Sequence, residues 1–267
     1  MILTNGNYYS SEANWEYMSV SQYKQFQTCE AAAMAQRRGE WQQPMPTGRL
    51  VGSDVDAWFE GTLGTFYEEH PEIFKKDGTL KADFVQAEEI IAFVQKDKLF
   101  MQYMSGRKQV IRTAELFGTK WKIKIDSRLR DKVVDLKVMR TMERIMGKSF
   151  VEHWGYDLQM AVYAAVEEKA LRRKSPLSTY LAVVTKQTPP DKNVIHIPAW
   201  RREELLQEVE RNMPRILSVK SGREEPKRCG VCEYCRATKM LAEPIDFELV
   251  GLSAGEIGAI FGSESFF

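Results

Sequence analysis

Residues 118–129 change the period of the sequence. Trp121, Ile123 and Ile125 alternate with Lys120, Lys122, Lys124 and Asp126. A repeat of two puts the first three side chains on one face and the last four on the other, so the segment is predicted to be a strand with one buried face. A second stretch, 131–139, is richer in apolar residues and follows after a short link, which predicts a hairpin. Any fold for this chain must therefore place a strand pair among helices, because helical patterning stands on both sides of it.

On the N-terminal side, residues 1–18 read as irregular. A helix is predicted from Ser19, where Ser19 and Gln22 fit a capping box and 31–35 is rich in Ala. The stretch 42–49 breaks it. Residues 50–70 are helical again, with Val51, Val55, Trp58 and Phe59 on one face. A loop over 71–82 turns at Asp77-Gly78, and 83–105 supplies one or two helices. On the C-terminal side a long amphipathic helix is predicted over 151–173, an apolar strand over 178–187 ended by Pro189-Pro190, a further strand over 192–200, and a helix over 202–222. This order predicts an α/β or α+β domain with helical flanks.

The 267 residues are 43% hydrophobic and 28% charged, with a net charge of +1. That describes a soluble globular protein with enough chain for a core. No apolar run approaches the ~20 residues of a membrane span, and the first residues lack the basic-then-apolar pattern of a signal peptide. A cytoplasmic location is expected. Near-zero net charge neither demands nor excludes a nucleic-acid partner, since basic groups can line one channel while acids hold metal.

Asp126 ends the first strand. Asp135 and Lys137 lie on the second, separated by Leu136, so alternation puts them on one face. A hairpin can bring Asp126 beside them. Two carboxylates are what a hard cation such as Mg2+ takes from a protein, with water and substrate phosphate completing its shell. A nearby Lys can orient a water and stabilise charge on phosphorus. On the following helix, Gln159 and Tyr163 are four residues apart and share a face. Taken singly, each has an ordinary explanation: a solvated ion pair, a surface amide, a core tyrosine.

Taken in order, Gly52-x-x-x-Asp56, Asp126, Asp135-x-Lys137 and Gln159-x-x-x-Tyr163 resemble the RecB-like branch of the PD-(D/E)xK nuclease superfamily. The chain looks closest to the RecE-type exonuclease VIII proteins of phages and prophages. The stretches NYYSSEANWEYMSVSQYKQFQTCEAAAMA, LVGSDVDAWFEG, VVDLK, GYDLQMAVY, VVTKQTPPD and RCGVCEYCRATK carry the likeness, over about residues 7–246. It implies a restriction-endonuclease-like core, a central mixed sheet flanked by helices, in a single nuclease domain over 1–267. Residues 1–50 would be an N-terminal helical segment with Cys29, 51–220 the catalytic core, and 221–267 a cysteine-bearing segment and tail.

By the same resemblance, Asp126 and Asp135 are ligands for Mg2+ or Mn2+, the Leu136 carbonyl is a further ligand and Lys137 is the catalytic lysine. Gln159 and Tyr163 support them. Asp56 stands where many RecB-like nucleases have His; a carboxylate can bind the same cations. Asp54 would replace it only in a shifted helix register, and Glu60, one turn on, can join the site.

The chain has four cysteines, Cys29, Cys229, Cys232 and Cys235. In a reducing compartment clustered cysteines point to metal or redox chemistry. The C-x2-C-x2-C run is the tight half of an iron–sulfur motif whose fourth ligand lies elsewhere. His70, His153 and His196 are remote from it in sequence. Some RecB-like nucleases are similar, with one cysteine before the core and three after it on a [4Fe–4S] cluster, although their last spacing is often longer. Zn2+ stays open as the alternative, as does a buried Cys29 beside a metal-free trio.

The resemblance further implies an exonuclease that resects the 5′ strand at double-stranded DNA ends, a ring-shaped homo-oligomer (trimer or tetramer), and hand-off of the 3′ overhang to a RecT-type single-strand annealing protein, with no membrane partner. Lys120, Lys122, Lys124, Arg128, Arg130, Lys132, Arg140, Arg172, Arg173 and Lys174 are candidates for backbone contacts. Trp58 or Trp154 could wedge between bases, against their ordinary role as core. Rival readings are an endonuclease or single-strand processing enzyme, a non-catalytic DNA-binding module, and a zinc-binding interaction protein.

Overall fold

The computed structural model describes residues 1–42, 47–241, 244 and 246–252. The break expected over 42–49 falls mainly on residues 43–46, and the tail beyond 252 is likewise outside the described residues. Three short helices come first, α1 (Ser11–Glu16), α2 (Val20–Thr28) and α3 (Glu30–Arg38). The expected single helix from Ser19 is thus divided. Cys29 has extended dihedrals, φ −164° and ψ 109°, and is both the last cap of α2 and the first of α3. Half of the expected capping box forms: the Gln22 amide donates to the Ser19 hydroxyl at 3.4 Å. The Gln22 side chain turns instead to Asn14 at 3.1 and 3.2 Å, because α1 folds back over the start of α2.

Helices α4 (Thr47–Glu60), α5 (Leu63–Glu69), α6 (Ala82–Gln95) and α7 (Lys98–Tyr103) follow. Next comes a strand that patterning missed, β1 (Val110–Leu116), paired antiparallel with β2 (Thr119–Ile125). Phe117 and Gly118 join them with φ of 51° and 77°, the two positive values a type I′ hairpin turn needs. The hairpin expected across residue 130 is real but short. It pairs β3 (Ser127–Arg128) with the start of β4 (Lys132–Met139) through Ser127–Val134 and Arg128–Val133. Gly106 lets the preceding loop lie on this corner, since a Cβ there would meet the Arg128 backbone at 2.7 Å.

After β4 the chain forms α8 (Phe150–His153) and α9 (Tyr156–Ala170), then returns as β5 (Ser178–Thr185), parallel to β4. This is a β-α-β crossover. β6 (Lys192–Ile197) adds antiparallel to β5, giving the mixed sheet β3-β4-β5-β6. Helix α10 (Ala199–Lys220) packs beside α9, and α11 (Glu233–Ala237) ends the cysteine segment.

Both sheet faces are covered, as the near-continuous apolar run of β5 requires. Val133, Leu181 and Val183 face one core with Met160 and Val166 of α9; Val134, Leu136, Ala182 and Val184 face the other with Val51 and Val55 of α4 and Ile90 of α6. The fold is a mixed sheet flanked by helices. No described helix is long and apolar enough to cross a membrane.

Candidate active site

β4 aims two polar side chains out of this apolar frame. Leu136 is buried in the α4 and α6 core, so Asp135 and Lys137 emerge on the α9 side. Asp135 is 2% exposed. Its Oδ1 accepts from Gln159 Nε2 at 2.6 Å, and its other oxygen pairs with Lys137. Lys137 also stands over the Tyr156 ring, 4.9 Å from its centroid. Asp126, just past β2, accepts from the Leu136 amide on Oδ2 at 2.9 Å and from Gln109 Nε2 on Oδ1 at 3.5 Å. One backbone amide of β4 therefore ties the carboxylate of one strand to the Asp-x-Lys of the other. Tyr163, one turn beyond Gln159, completes the α9 wall.

Asp56 comes from α4. It lines the same cleft, of about 740 Å³, as Asp126, Asp135, Lys137, Gln159, Tyr163 and Glu60. Asp54 does not. It is wholly buried without a hydrogen-bond partner among the described residues, and faces Tyr67 and Glu88, so the helix register puts Asp56, not Asp54, in the cleft. Gly52 is not sterically required, since a Cβ there would meet Val138 at an ordinary 3.9 Å.

The site concentrates negative charge. Burial first, then Asp135 and Asp56, holds the Asp126 carboxyl well above the usual carboxylate range. Burial, reinforced by Asp135 and Glu60 and opposed by Lys137 and Lys124, pushes Asp56 up to about 7. Burial lowers the Lys137 ammonium, but Asp135 and Asp126 outweigh it and its pKa rises. Asp56, Glu60, Asp126 and Asp135 gathered around Lys137 and Lys124 are a hard-oxygen donor set short of positive charge, and a divalent cation fits that need. Asp126, Asp135, Asp56 and the Leu136 carbonyl are the groups that could hold it. Among the described residues the three carboxylates do not gather within 4.8 Å of one another, and Lys137 is drawn onto Asp135.

The other candidates separate. Lys124 lines the cleft. Lys122 does too, but it is 2% exposed, donating to the Tyr8 carbonyl and to Asn14 Oδ1 at 2.8 Å; the N-terminal segment covers what patterning assigned to solvent. Arg128 is committed to the buried Glu167, Nε to Oε1 at 2.7 Å. Lys120 pairs with Glu16 and Lys132 with Asp131. Arg130, Arg140, Arg172 and Lys174 are exposed and Arg173 partly so, and none of these five lines the cleft. Trp58 packs on Phe59 at 4.8 Å, and Trp154, half exposed, lies outside the cleft. Patterning missed Tyr8, Tyr9, Lys24 and Gln109, which also line it. They come from irregular or distant segments, where no periodicity points to a site.

The four cysteines converge. Among the described residues they are the one group of three or more possible metal ligands whose donor atoms lie within 4.8 Å of one another. Cys29 Sγ is 3.6 Å and Cys229 Sγ 4.0 Å from Cys235 Sγ. The break at Cys29 aims its sulfur at the trio, and Ala31 and Lys227 seal the joint backbone to backbone at 3.0 Å. The Cys229 thiol is lowered to about 7: burial raises it, but the amides of Cys232 and Val231 and neighbouring thiols outweigh that. Zn–S bonds of about 2.3 Å place tetrahedral sulfurs roughly 3.8 Å apart, so the spacing fits one ion. A cubane interposes its own iron and sulfide atoms and holds its cysteines farther apart.

Residues 19–238 match the family described as a PDDEXK-like domain of unknown function (DUF3799). The crystal structure of a protein from Eubacterium rectale named "Putative exonuclease" is 48% identical, with a TM-score of 0.89 over 94% of this chain and 99% of that one. The crystal structure of SSO0001 aligns with 77% of this chain and 100% of that one, at 14% identity and a TM-score of 0.29. No curated protein matches the chain.

Proposed function

This chain belongs to that PDDEXK-like family, and from this premise we propose that it is a metal-dependent nuclease, a 5′-to-3′ exonuclease acting on linear double-stranded DNA. The observation that carries the reading is the convergence of Asp126, Asp135 and Lys137 in one cleft, with Gln159 bonded to Asp135 at 2.6 Å. The name of the Eubacterium rectale protein supports the exonuclease part. The sequence resemblance to RecE-type proteins supports the polarity, the duplex end, a ring-shaped oligomer and a RecT-type annealing partner.

The reaction is hydrolysis. A water oxygen bonds to phosphorus, the bond from phosphorus to the leaving sugar oxygen breaks, and the proton given up by water is replaced by one on that oxygen. Asp126, Asp135, the Leu136 carbonyl and Asp56 would hold Mg2+ or Mn2+, which would supply positive charge to the phosphoryl oxygens and acidify water. Lys137, anchored by Asp135, donates to a non-bridging oxygen and orients the water. Gln159 and Lys137 together fix the orientation of the Asp135 carboxylate. Arg37, Lys122 and Lys220 converge on Asn14 without a carboxylate partner among the described residues, and of the three only Lys122 lines the cleft. The four cysteines clamp the N-terminal helices to the C-terminal segment around a thiophilic metal; their spacing supports a single Zn2+, and the sequence resemblance supports a [4Fe–4S] cluster.

The test is linear duplex DNA labelled at the 5′ or 3′ end of one strand, with Mg2+ or Mn2+, beside closed circular DNA and the Lys137→Ala variant. Metal-dependent release of nucleotides from the 5′ end, absent with circles and with the variant, is the expected result. Cutting of circles would replace the exonuclease by an endonuclease. No cleavage of any DNA would end the enzyme reading.

A further inference from the structure

The cleft has an aromatic residue that the chemistry above does not use. Among the described residues, four aromatic side chains line it: Tyr8, Tyr9, Phe66 and Tyr163. Tyr8 and Phe66 are 6% and 8% exposed, and Tyr163 is partly buried behind Gln159. Tyr9 is 72% exposed. It shares the cleft with Asp56, Glu60, Lys124 and Asp126, so it borders the reacting centre.

Its placement is fixed although its ring is free. The Tyr9 carbonyl accepts from Asn14 Nδ2 at 3.2 Å, and Asn14 Oδ1 accepts from the buried Lys122 at 2.8 Å. The next residue, Ser10, caps α1 by accepting from the Ala13 amide at 3.2 Å. The Tyr9 ring meets Tyr8 edge to face, with centroids 4.9 Å apart, and Tyr8 lies under Lys122 at 4.7 Å. Lys124 Nζ stands 5.6 Å from the Tyr9 ring centroid. A buried cation, a capped helix and a second ring thus hold one large ring in water beside the carboxylates and a lysine. Core packing does not explain a ring left that open. Bases stack on such rings whatever their identity, while a neighbouring lysine meets the adjoining phosphate.

We infer that Tyr9 is a stacking platform for the terminal base of the DNA strand whose phosphate enters the cleft. The inference rests on the nuclease reading. It makes Tyr9 a positioning residue: stacking on the last base sets how far the strand advances and so which phosphodiester meets Asp126 and Asp135. Stacking favours purines over pyrimidines at that position and requires the terminal pair to open.

The experiment uses the full chain and duplex DNA carrying 2-aminopurine at the 5′ terminus, with Ca2+ for binding and Mg2+ for cleavage. The wild type is expected to quench the fluorescence on binding. Tyr9→Ala is expected to lose the quench and to bind or cut about 10- to 100-fold less well at low DNA concentration, with cleavage at saturating DNA less affected. Tyr9→Phe and Tyr9→Trp are expected to restore both. Thermal melting checks folding, which an exposed ring affects little. Wild-type cleavage with an unchanged signal in Tyr9→Ala overturns the stacking role and leaves the nuclease standing. Equal losses in Ala and Phe assign the effect to the hydroxyl and also overturn stacking. Absence of wild-type cleavage overturns the nuclease reading and this role with it.

Discussion

Gln159 on α9 donates from Nε2 to Asp135 Oδ1 on β4 at 2.6 Å, bridging the helix and the strand that build the cleft. Without it, the carboxylate is held by Lys137 alone, and its orientation is less fixed. Groups that orient a metal ligand typically cost 10–100-fold in metal affinity or activity when removed. Gln159→Leu is therefore expected to raise the Mg2+ concentration for half-maximal cleavage by about that factor, with thermal stability nearly unchanged. A normal metal titration in the variant would count against the orienting role.

Asp126 has the opposite balance. Its carboxyl is buried, repelled by Asp135 and Asp56, and its pKa is high. Asp126→Asn keeps an oxygen for the Leu136 amide and removes the repulsion. Without metal the variant is expected to be more stable than the wild type by roughly 1–2 kcal/mol, as when a poorly compensated buried charge is removed. Cleavage should fall to background. Added Mg2+ should raise the melting temperature of the wild type, by binding the folded state alone, and that of the variant much less. A variant less stable without metal would refute the repulsion argument.

Regular elements made much of this legible. Alternation along 131–139 put Asp135 and Lys137 on one face, and the spacing of Gln159 and Tyr163 put both on one side of α9. Contacts from remote segments did not show. Lys122 looks like a solvated lysine until residues 8–14 cover it. β1 alternates weakly, because its inward positions include Arg112, whose buried partner Glu167 lies 55 residues later. The helix through Cys29 reads as continuous because nothing local marks the break; what goes with it is a set of sulfurs two hundred residues away.

Those sulfurs give a test by removal. Elemental analysis is expected to find about one zinc per chain, which four sulfurs within 4.8 Å of one another would suit. Chelation, or Cys29→Ser, should release it and lower the melting temperature, because binding energy at such a site is folding energy. About four irons with visible absorbance would favour the cubane. A metal-free chain with an unchanged melt after Cys29→Ser would show that the cysteines do not bind metal.

Lys220 on α10 reaches the carbonyls of Asn14 and Tyr17 at 3.3 and 3.4 Å, with Arg37 and Lys122 facing it. Burial first, then these two cations, pulls its pKa down to about 7. An unfolded lysine titrates near 10.4. Between these values the unfolded chain holds more protons than the folded one, so stability rises with pH across the window. The gain is absent below the folded value and complete above the unfolded one. Lys220→Met should flatten the rise of melting temperature between about pH 7 and pH 10, by an amount on the order of 1 kcal/mol after allowance for partial exposure. Some slope should remain from Lys122, which burial lowers to about 8. An unchanged slope in Lys220→Met would mean that this amine is solvated.

Glu167 is completely buried on α9 and pairs with Arg112 of β1 at 3.0 Å and Arg128 of β3 at 2.7 Å. It fastens the small hairpin and the sheet corner to the helix that carries Gln159. Breaking such a pair leaves uncompensated charge, so Glu167→Gln is expected to cost about 3–5 kcal/mol and to lower the melting temperature accordingly. The same geometry separates two cations that look alike in sequence. Arg128 is spent on Glu167, whereas Lys124 faces the cleft. Replacing a lysine that neutralises a phosphate reduces the slope of log affinity against log salt by about one, and replacing an internal arginine does not. DNA binding across a salt series should therefore show the smaller slope for Lys124→Met and the wild-type slope for Arg128→Met, which instead loses stability. The reverse pattern would put Arg128 on the DNA and make its bond to Glu167 incidental.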